Sequence, residues 1–133
     1  MKEPVWLTRQ IVEFIHFELI LEYGGSHGIK SEYILESSLA RPQSKFSYVE
    51  EPDMGLLAAA YGYGLVKGHA FIDGNKRLGF MAMYTFLGLN GYDLVTSEAE
   101  TVEVIMDLVQ GAISEEALAD WLRARMIPEK SSE

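Results

Sequence analysis

The residues best suited to chemistry lie in one nine-residue segment, HAFIDGNKR, at residues 69–77. His69 opens the segment with an imidazole that is a neutral base near physiological pH. Gly74 follows five residues later and lets the backbone approach an anion closely, and peptide N–H groups at the start of a helix form a phosphate site. The side chains that add donors to this phosphate cradle, residues 74–77, are Asn75, Lys76 and Arg77. This spacing predicts a bound phosphate with a base beside it.

Asp73 stands directly before the phosphate cradle and is the one acidic residue of the segment. An ionised carboxylate binds hard cations, so Asp73 is the predicted ligand of a magnesium ion held against nucleotide phosphates. A base, anchored phosphates and a neutralising metal are the parts that phosphoryl or nucleotidyl transfer requires. The chain contains neither a GxxxxGK[ST] nor a GxGxxG string, so the site is predicted to be of a different type.

The composition predicts one folded domain over residues 1–133. The chain is 48% hydrophobic and 23% charged, which supplies a core and excludes a disordered tail. Its formal charge of -9 disfavours binding to a nucleic-acid backbone, and the lack of cysteine excludes disulfides and thiolate metal sites. No signal-type leader is apparent, and the apolar run from Leu78 to Leu89 is too short for a bilayer. We therefore expect a cytoplasmic protein that makes no membrane contact.

Turn and capping signals predict an all-α fold of about six helices that position residues 69–77. Helix four is apolar on nearly every side and is expected to lie innermost. Pro42 is expected to stop helix two, and near-alternation of polar and apolar residues at 43–52 then predicts an extended flap. The predicted helices run from Thr8 to Tyr23, from Ser31 to Leu39 or Ala40, from Asp53 to Lys67, from Asn75 up to Asn90, from Ser97 to Gln110, and from Ser114 to a point before Pro128.

The segment HAFIDGNKR resembles the signature loop of the Fic/Doc superfamily, and its GNKR ending is similar to the death-on-curing (Doc) branch. Three further stretches are similar to that branch, so the resemblance extends from about Trp6 to Leu122. It implies an all-helical Fic fold with a flap at about residues 43–52, which aligns the modified protein segment beside residues 69–77. The three further stretches are YGGSHGIKSEYILESSLARP, AAAYGYGLVKG and FLGLNGYDL.

The resemblance also implies a role for each residue of the signature loop, residues 69–77. His69 matches the catalytic base, Asp73 the metal-positioning or phosphate-positioning acid, and Phe71 the inward anchor of the loop. The anion-binding positions are matched by Gly74, Asn75, Lys76 and Arg77.

The Doc branch implies a toxin of a type II toxin–antitoxin system. Such a toxin transfers the γ-phosphate of ATP, with Mg²⁺, to a hydroxyl of elongation factor Tu and is neutralised by a Phd-type antitoxin. Many Fic proteins instead transfer AMP and carry glycine where Lys76 stands, but some AMP-transferring relatives also have lysine there. AMP transfer to a protein hydroxyl is therefore the alternative. The self-inhibitory pattern [S/T]xxxE[G/N] fails here because Thr101 follows Glu100, so we expect inhibition from a separate chain.

Two readings outside enzymology stay open at the level of sequence. Short helices joined by tight turns can form a helical DNA-binding regulator, although the net acidity and the lack of a basic stripe disfavour it. An inactive relative that only binds a partner is the other. Elsewhere in the chain, His16 and His27 are interpreted as structural or solvated residues.

Overall fold

The computed structural model describes residues 1–129, which form six α-helices and one two-stranded antiparallel sheet. The predicted all-α fold of about six helices is confirmed, while the small sheet was not predicted. It pairs Tyr92 with Pro128 and Leu94 with Met126. The elements are α1 (Arg9–Tyr23), α2 (Glu32–Tyr48), α3 (Met54–Gly68), α4 (Asn75–Leu89), β1 (Tyr92–Leu94), α5 (Glu98–Val109), α6 (Glu115–Arg123) and β2 (Met126–Pro128). None of these helices has the length and apolar character that crossing a bilayer takes.

The innermost helix is α3, which packs against α2, α4, α5 and α6. We expected α4 in that position, and α4 does contact α1, α3, β1 and α5. However, α4 leaves residues such as Tyr84 and Leu89 exposed, whereas Lys67 is the only exposed residue of α3. The reason lies in the small residues of α3, whose sequence MGLLAAAYGYGLVKG lets several helices approach its backbone. The apolar character of α4 on all sides therefore correctly indicated a buried helix. The small residues of α3, however, make α3 the central one.

Two glycines set the contact between α3 and α4. A Cβ atom on Gly79 would overlap the side chain of Val66, and a Cβ atom on Gly62 would overlap that of Met83. The backbones of the two helices thus lie closer together than any larger residue would permit. Because α3 ends at Gly68 and α4 begins at Asn75, this contact also fixes the two ends of the signature loop.

Helix α2 continues through Pro42 to Tyr48, so the predicted helix end at Leu39 or Ala40 is wrong. The predicted extended flap at residues 43–52 is corrected with it, because residues 43–48 are helical and only residues 49–53 connect α2 to α3.

Tertiary contacts explain why α2 tolerates an internal proline. Proline removes one backbone hydrogen bond and disfavours a helix interior. The turn beyond it is nevertheless packed, since the Phe46 ring lies 5.7 Å from that of Trp6 and Lys45 Nζ lies 2.7 Å from a Glu115 carboxylate oxygen. Pro42 itself is buried. Packing of the last turns of α2 against the N-terminal segment and α6 therefore outweighs the local preference.

Five of the six helices start with a side chain that accepts a hydrogen bond from the first turn. The residues at which the sequence predicted α2, α3, α5 and α6 to begin all act as caps, and Ser97 forms a capping box with Glu100. Such caps satisfy peptide N–H groups that have no partner within the helix. The five capping residues are Thr8, Ser31, Asp53, Ser97 and Ser114.

The close contact between α3 and α4 predicts opposite effects for two alanine substitutions in α4. Gly79→Ala should lower the free energy of unfolding by about 2 kcal/mol, because the new methyl group overlaps Val66. Gly88→Ala should raise it by about 0.5 kcal/mol, because a Cβ there meets no atom within 4 Å and alanine favours a helix. Urea unfolding followed by circular dichroism measures both, and equal effects would contradict the assigned contact.

Burial of Tyr61 predicts a loss of stability at high pH. Its hydroxyl accepts a hydrogen bond from the Leu7 N–H at 3.0 Å, and burial raises its pKa to about 12. An unfolded tyrosine has a pKa of about 10, so the stabilising contribution of neutral Tyr61 is complete below that pH and is lost as the pH approaches 12. The stability difference between the wild type and Tyr61→Phe should shrink over this range in urea unfolding. Tyr33→Phe, at a residue 81% exposed, should show no such change.

Candidate active site

His69 lies directly after α3 and is exposed. Its backbone is left-handed, with φ 58° and ψ 49°, and within residues 1–129 it is the only residue other than glycine with a positive φ. This conformation costs about 1 kcal/mol or more for a residue with a Cβ atom. The surrounding contacts must therefore hold His69 in place.

The segment between α1 and α2 holds the signature loop from one side. The Lys30 and Ser31 N–H groups donate to the Ala70 carbonyl at 2.7 and 3.0 Å, and the Ile72 N–H donates to the Gly28 carbonyl at 3.1 Å. Ala70 and Phe71 are buried, which confirms the inward position predicted for Phe71. The backbone bonds on this side offset the strain at His69 and leave its imidazole facing solvent.

Asn75 closes the loop from within. Its Oδ1 accepts a hydrogen bond from the Phe71 N–H at 3.1 Å, and its Nδ2 donates to the Phe71 carbonyl at 2.9 Å. The residue is only 3% exposed. Its side-chain amide thus serves the loop, and Asn75 can reach a phosphate through its backbone N–H.

Gly74 begins α4 without a side-chain cap. Its φ of 82° favours glycine, and a Cβ atom there would lie 3.2 Å from Ile20 Cδ1. The first backbone hydrogen bond of the helix runs from the Leu78 N–H to the Gly74 carbonyl at 3.0 Å. Within the described part of the chain, the N–H groups of residues 75–77 have no hydrogen-bond partner. These donors and the positive end of the helix dipole form an anion-binding position.

Lys76 and Arg77 bring positive charge to the same helix start. Both are exposed, and neither forms an ion pair with a carboxylate of residues 1–129. The Arg77 guanidinium lies over the Tyr23 ring, 4.0 Å from its centroid. Cations at the N-terminus of a helix oppose its dipole unless an anion is present, so this placement favours a bound phosphate.

Asp73 has one carboxylate oxygen bound to the backbone. Its Oδ2 accepts a hydrogen bond from the Ser26 N–H at 2.7 Å, and the residue is exposed. No cluster of three or more His, Asp or Glu side chains able to hold a metal occurs within residues 1–129. One carboxylate still fits magnesium, since that ion keeps several waters and binds through one or two carboxylates together with phosphate oxygens.

His16 is a residue of this site that the sequence analysis did not connect to it. It is buried on α1, its ring lies parallel to that of Phe71 at 3.9 Å, and its Nε2 lies 2.7 Å from the Asp73 carbonyl oxygen. The sequence analysis interpreted His16 as structural or solvated, and the structure shows it buried. Its spacing from the apolar Val12 and Ile20 already placed it on the buried face of α1. Its contact with the signature loop required the tertiary structure.

The geometry agrees with the comparisons to known proteins. Residues 6–87 match the sequence model of the Fic/DOC family, a range that includes the whole signature loop. The chain therefore belongs to the Fic/Doc family.

Within that family the chain is Doc-like. It is 31% identical over 109 residues to the protein named Protein kinase doc of Escherichia phage P1, an alignment that covers 82% of this chain and 86% of that protein. It is 33% identical over 91 residues to the protein named Toxin Doc of Mycolicibacterium smegmatis, which covers 67% of this chain and 70% of that protein. The predicted family and branch are thus confirmed.

The hydrogen bonds of Asn75 predict that its amide is needed for loop stability. Asn75→Ala should lower the free energy of unfolding by about 2 kcal/mol, because it leaves the N–H and carbonyl of buried Phe71 without partners. The exposed neighbour Lys76 is the matched control, and Lys76→Ala should change stability by less than about 0.5 kcal/mol. Urea unfolding compares the two, and an unchanged midpoint for Asn75→Ala would contradict the structural role of the amide.

Proposed function

We propose that this chain transfers the γ-phosphate of ATP to a protein hydroxyl and so acts as a Doc-type toxin. The observation that carries the proposal is the uncapped start of α4, at the end of a loop that opens with exposed His69. Among residues 1–129, its first N–H groups have no hydrogen-bond partner and its two cations have no ion-pair partner. Family membership and similarity to a protein named as a kinase support the same reaction.

The residues of the cradle bind and orient the triphosphate. The N–H groups of residues 75–77, Lys76 and Arg77 are the donors for phosphate oxygens, and they stabilise the negative charge that spreads over the phosphoryl group in the transition state. Close approach of the backbone to a phosphate requires the glycine at position 74. Binding and charge stabilisation therefore come from a single helix start.

His69 acts as the general base. Its neutral imidazole takes the proton from a target hydroxyl as the hydroxyl oxygen forms its bond to the γ-phosphorus. The bond between that phosphorus and the bridging oxygen to the β-phosphate breaks, and ADP leaves with the electron pair. His69 then releases the proton to solvent. The exposure of His69 supports this role, because a protein segment can reach it.

Asp73 is the proposed protein ligand of Mg²⁺. Its Oδ2 is bound to the Ser26 N–H, and Oδ1 is the oxygen available to the metal. When bound, the ion neutralises phosphate charge. The bond to Ser26 holds the carboxylate beside the cradle.

The proposed target is elongation factor Tu, and the proposed inhibitor is a Phd-type antitoxin. Similarity to a protein named Toxin Doc supports a toxin that needs such an inhibitor. AMP transfer is the alternative reaction, because a base beside a phosphate cradle serves both transfers. Lys76 favours transfer of the terminal phosphate, since it adds bulk and charge within the cradle.

A labelling experiment distinguishes the two reactions. The chain is incubated with elongation factor Tu, Mg²⁺ and ATP that carries label on either the α- or the γ-phosphate. We expect γ-label on the target and none in His69→Ala, whereas α-label would identify AMP transfer and overturn the kinase assignment. Growth arrest by a His69→Ala variant would instead indicate a binding protein without catalysis.

Binding measurements separate the cradle from the base. Arg77→Ala should weaken ATP binding about tenfold or more in calorimetry, because it removes a charge-assisted contact. His69→Ala should change the affinity little and lower turnover by a factor of about 10² or more. Lys67→Ala is the matched control, because it also removes a cation but from α3, outside the cradle. The Lys67 Nζ lies 3.4 Å from the Leu108 carbonyl. Equal losses of affinity in the Arg77 and His69 variants would refute the separate roles.

A further inference from the structure

His16 supports the signature loop from beneath through two different contacts. The face of its ring lies 3.9 Å from the Phe71 ring at an interplanar angle of 21°. The edge of the ring places Nε2 2.7 Å from the Asp73 carbonyl oxygen. Only 3% of the His16 residue is exposed, so its ring is shielded from water. One buried side chain thus supplies both an aromatic face and a polar edge.

The partner of His16 determines which nitrogen carries the proton. A backbone carbonyl oxygen can only accept a hydrogen bond, so Nε2 must be the donor. Nε2 therefore carries a proton.

The hydrogen bond from His16 also orients the peptide group before the cradle. A trans peptide is planar, and its C=O and N–H point in opposite directions. Because His16 holds the Asp73 carbonyl toward α1, the Gly74 N–H must point away from α1. A Cβ atom on Gly74 would lie 3.5 Å from His16 Nε2, so the imidazole also fills the space beneath this turn.

This orientation is separate from the one that Asn75 provides. Asn75 bonds to the backbone of Phe71, three residues before Gly74, whereas His16 acts on the peptide that joins Asp73 to Gly74. Rotation of that peptide would change the direction of the Gly74 N–H and the position of Asp73 at the same time. The cradle thus depends on a donor from α1 as well as on its own loop.

We propose that His16 is a positioning residue for phosphate binding: its Nε2–H fixes the Asp73–Gly74 peptide and so aims the start of the cradle at the triphosphate. The inference rests on the proposed function, in which residues 74–77 bind ATP. His16 itself does not touch the phosphate.

Two variants separate the polar edge of the ring from its face. His16→Phe keeps an aromatic ring against Phe71 and removes the donor, whereas His16→Gln keeps a donor amide and removes the ring. His16→Phe should weaken Mg·ATP binding about tenfold in calorimetry, and His16→Gln should restore most of the affinity. His27 is the matched control, because its ring packs against Phe17 at 4.7 Å in an exposed loop, and His27→Phe should alter affinity by less than about twofold.

Nitrogen-15 NMR of the histidine rings in the wild-type chain tests the geometry without nucleotide. We expect a proton on Nε2 of His16, and a ring protonated on Nδ1 alone would overturn the proposal whether or not the variants fold. Unchanged affinity in His16→Phe, or equal losses in His16→Phe and His16→Gln, would overturn it as well. If the wild type fails to bind Mg·ATP, the proposed function fails, and the role of His16 in phosphate binding fails with it. In that case the Nε2–H signal would still show that the contact between His16 and the signature loop is present.

Discussion

The first turn of α4 is the only helix start within residues 1–129 that no side chain caps. Peptide N–H groups in that position must bond to water or to a ligand. The same turn carries Lys76 and Arg77, which form no ion pair with any carboxylate in the described range 1–129, although the chain has 20 acidic and 11 basic residues. In so acidic a protein, two cations that no carboxylate neutralises form, together with the N–H groups beside them, a local positive potential that the net charge conceals. This helix start is the part of the candidate site that can bind an anion.

The backbone groups of residues 70–73 are hydrogen-bonded within the protein, and this leaves the N–H groups of residues 75–77 available for a ligand. The Lys30 and Ser31 N–H groups, the carbonyl at residue 28 and the Asn75 amide bond to the backbone of residues 70–72, and His16 bonds to the Asp73 carbonyl. These partners come from three different parts of the chain. Backbone groups of residues 70–73 are thereby paired within the protein, while the N–H groups at 75–77 have no hydrogen-bond partner among residues 1–129. A preformed cradle of this kind loses little conformational entropy when it binds an anion.

The sequence was most informative where a local rule acts alone. Side-chain caps, glycine helix ends and the signature loop all depend on neighbours a few residues apart, so the helices and the family could be predicted from the printed chain. Pro42 misled the prediction because contacts of Phe46 and Lys45 with distant elements outweigh its local effect. The central position of α3 and the role of His16 likewise depend on contacts between separate helices. Periodicity identifies a buried residue, but it does not identify the residue's partner.

The distance between the base and the cradle is a property of helix packing. His69 follows the last residue of α3, and the cradle is the first turn of α4, so a shift of either helix would move one group relative to the other. Gly62 and Gly79 bring the two helix backbones into close contact, where interiors resist small displacements. The ends of α3 and α4 are therefore held at a fixed distance from each other. Because the loop cannot relieve the strained backbone at His69 by moving its two ends apart, the left-handed conformation is maintained. On this view, the two glycines belong to the structural basis of the proposed reaction even though neither lies at the site.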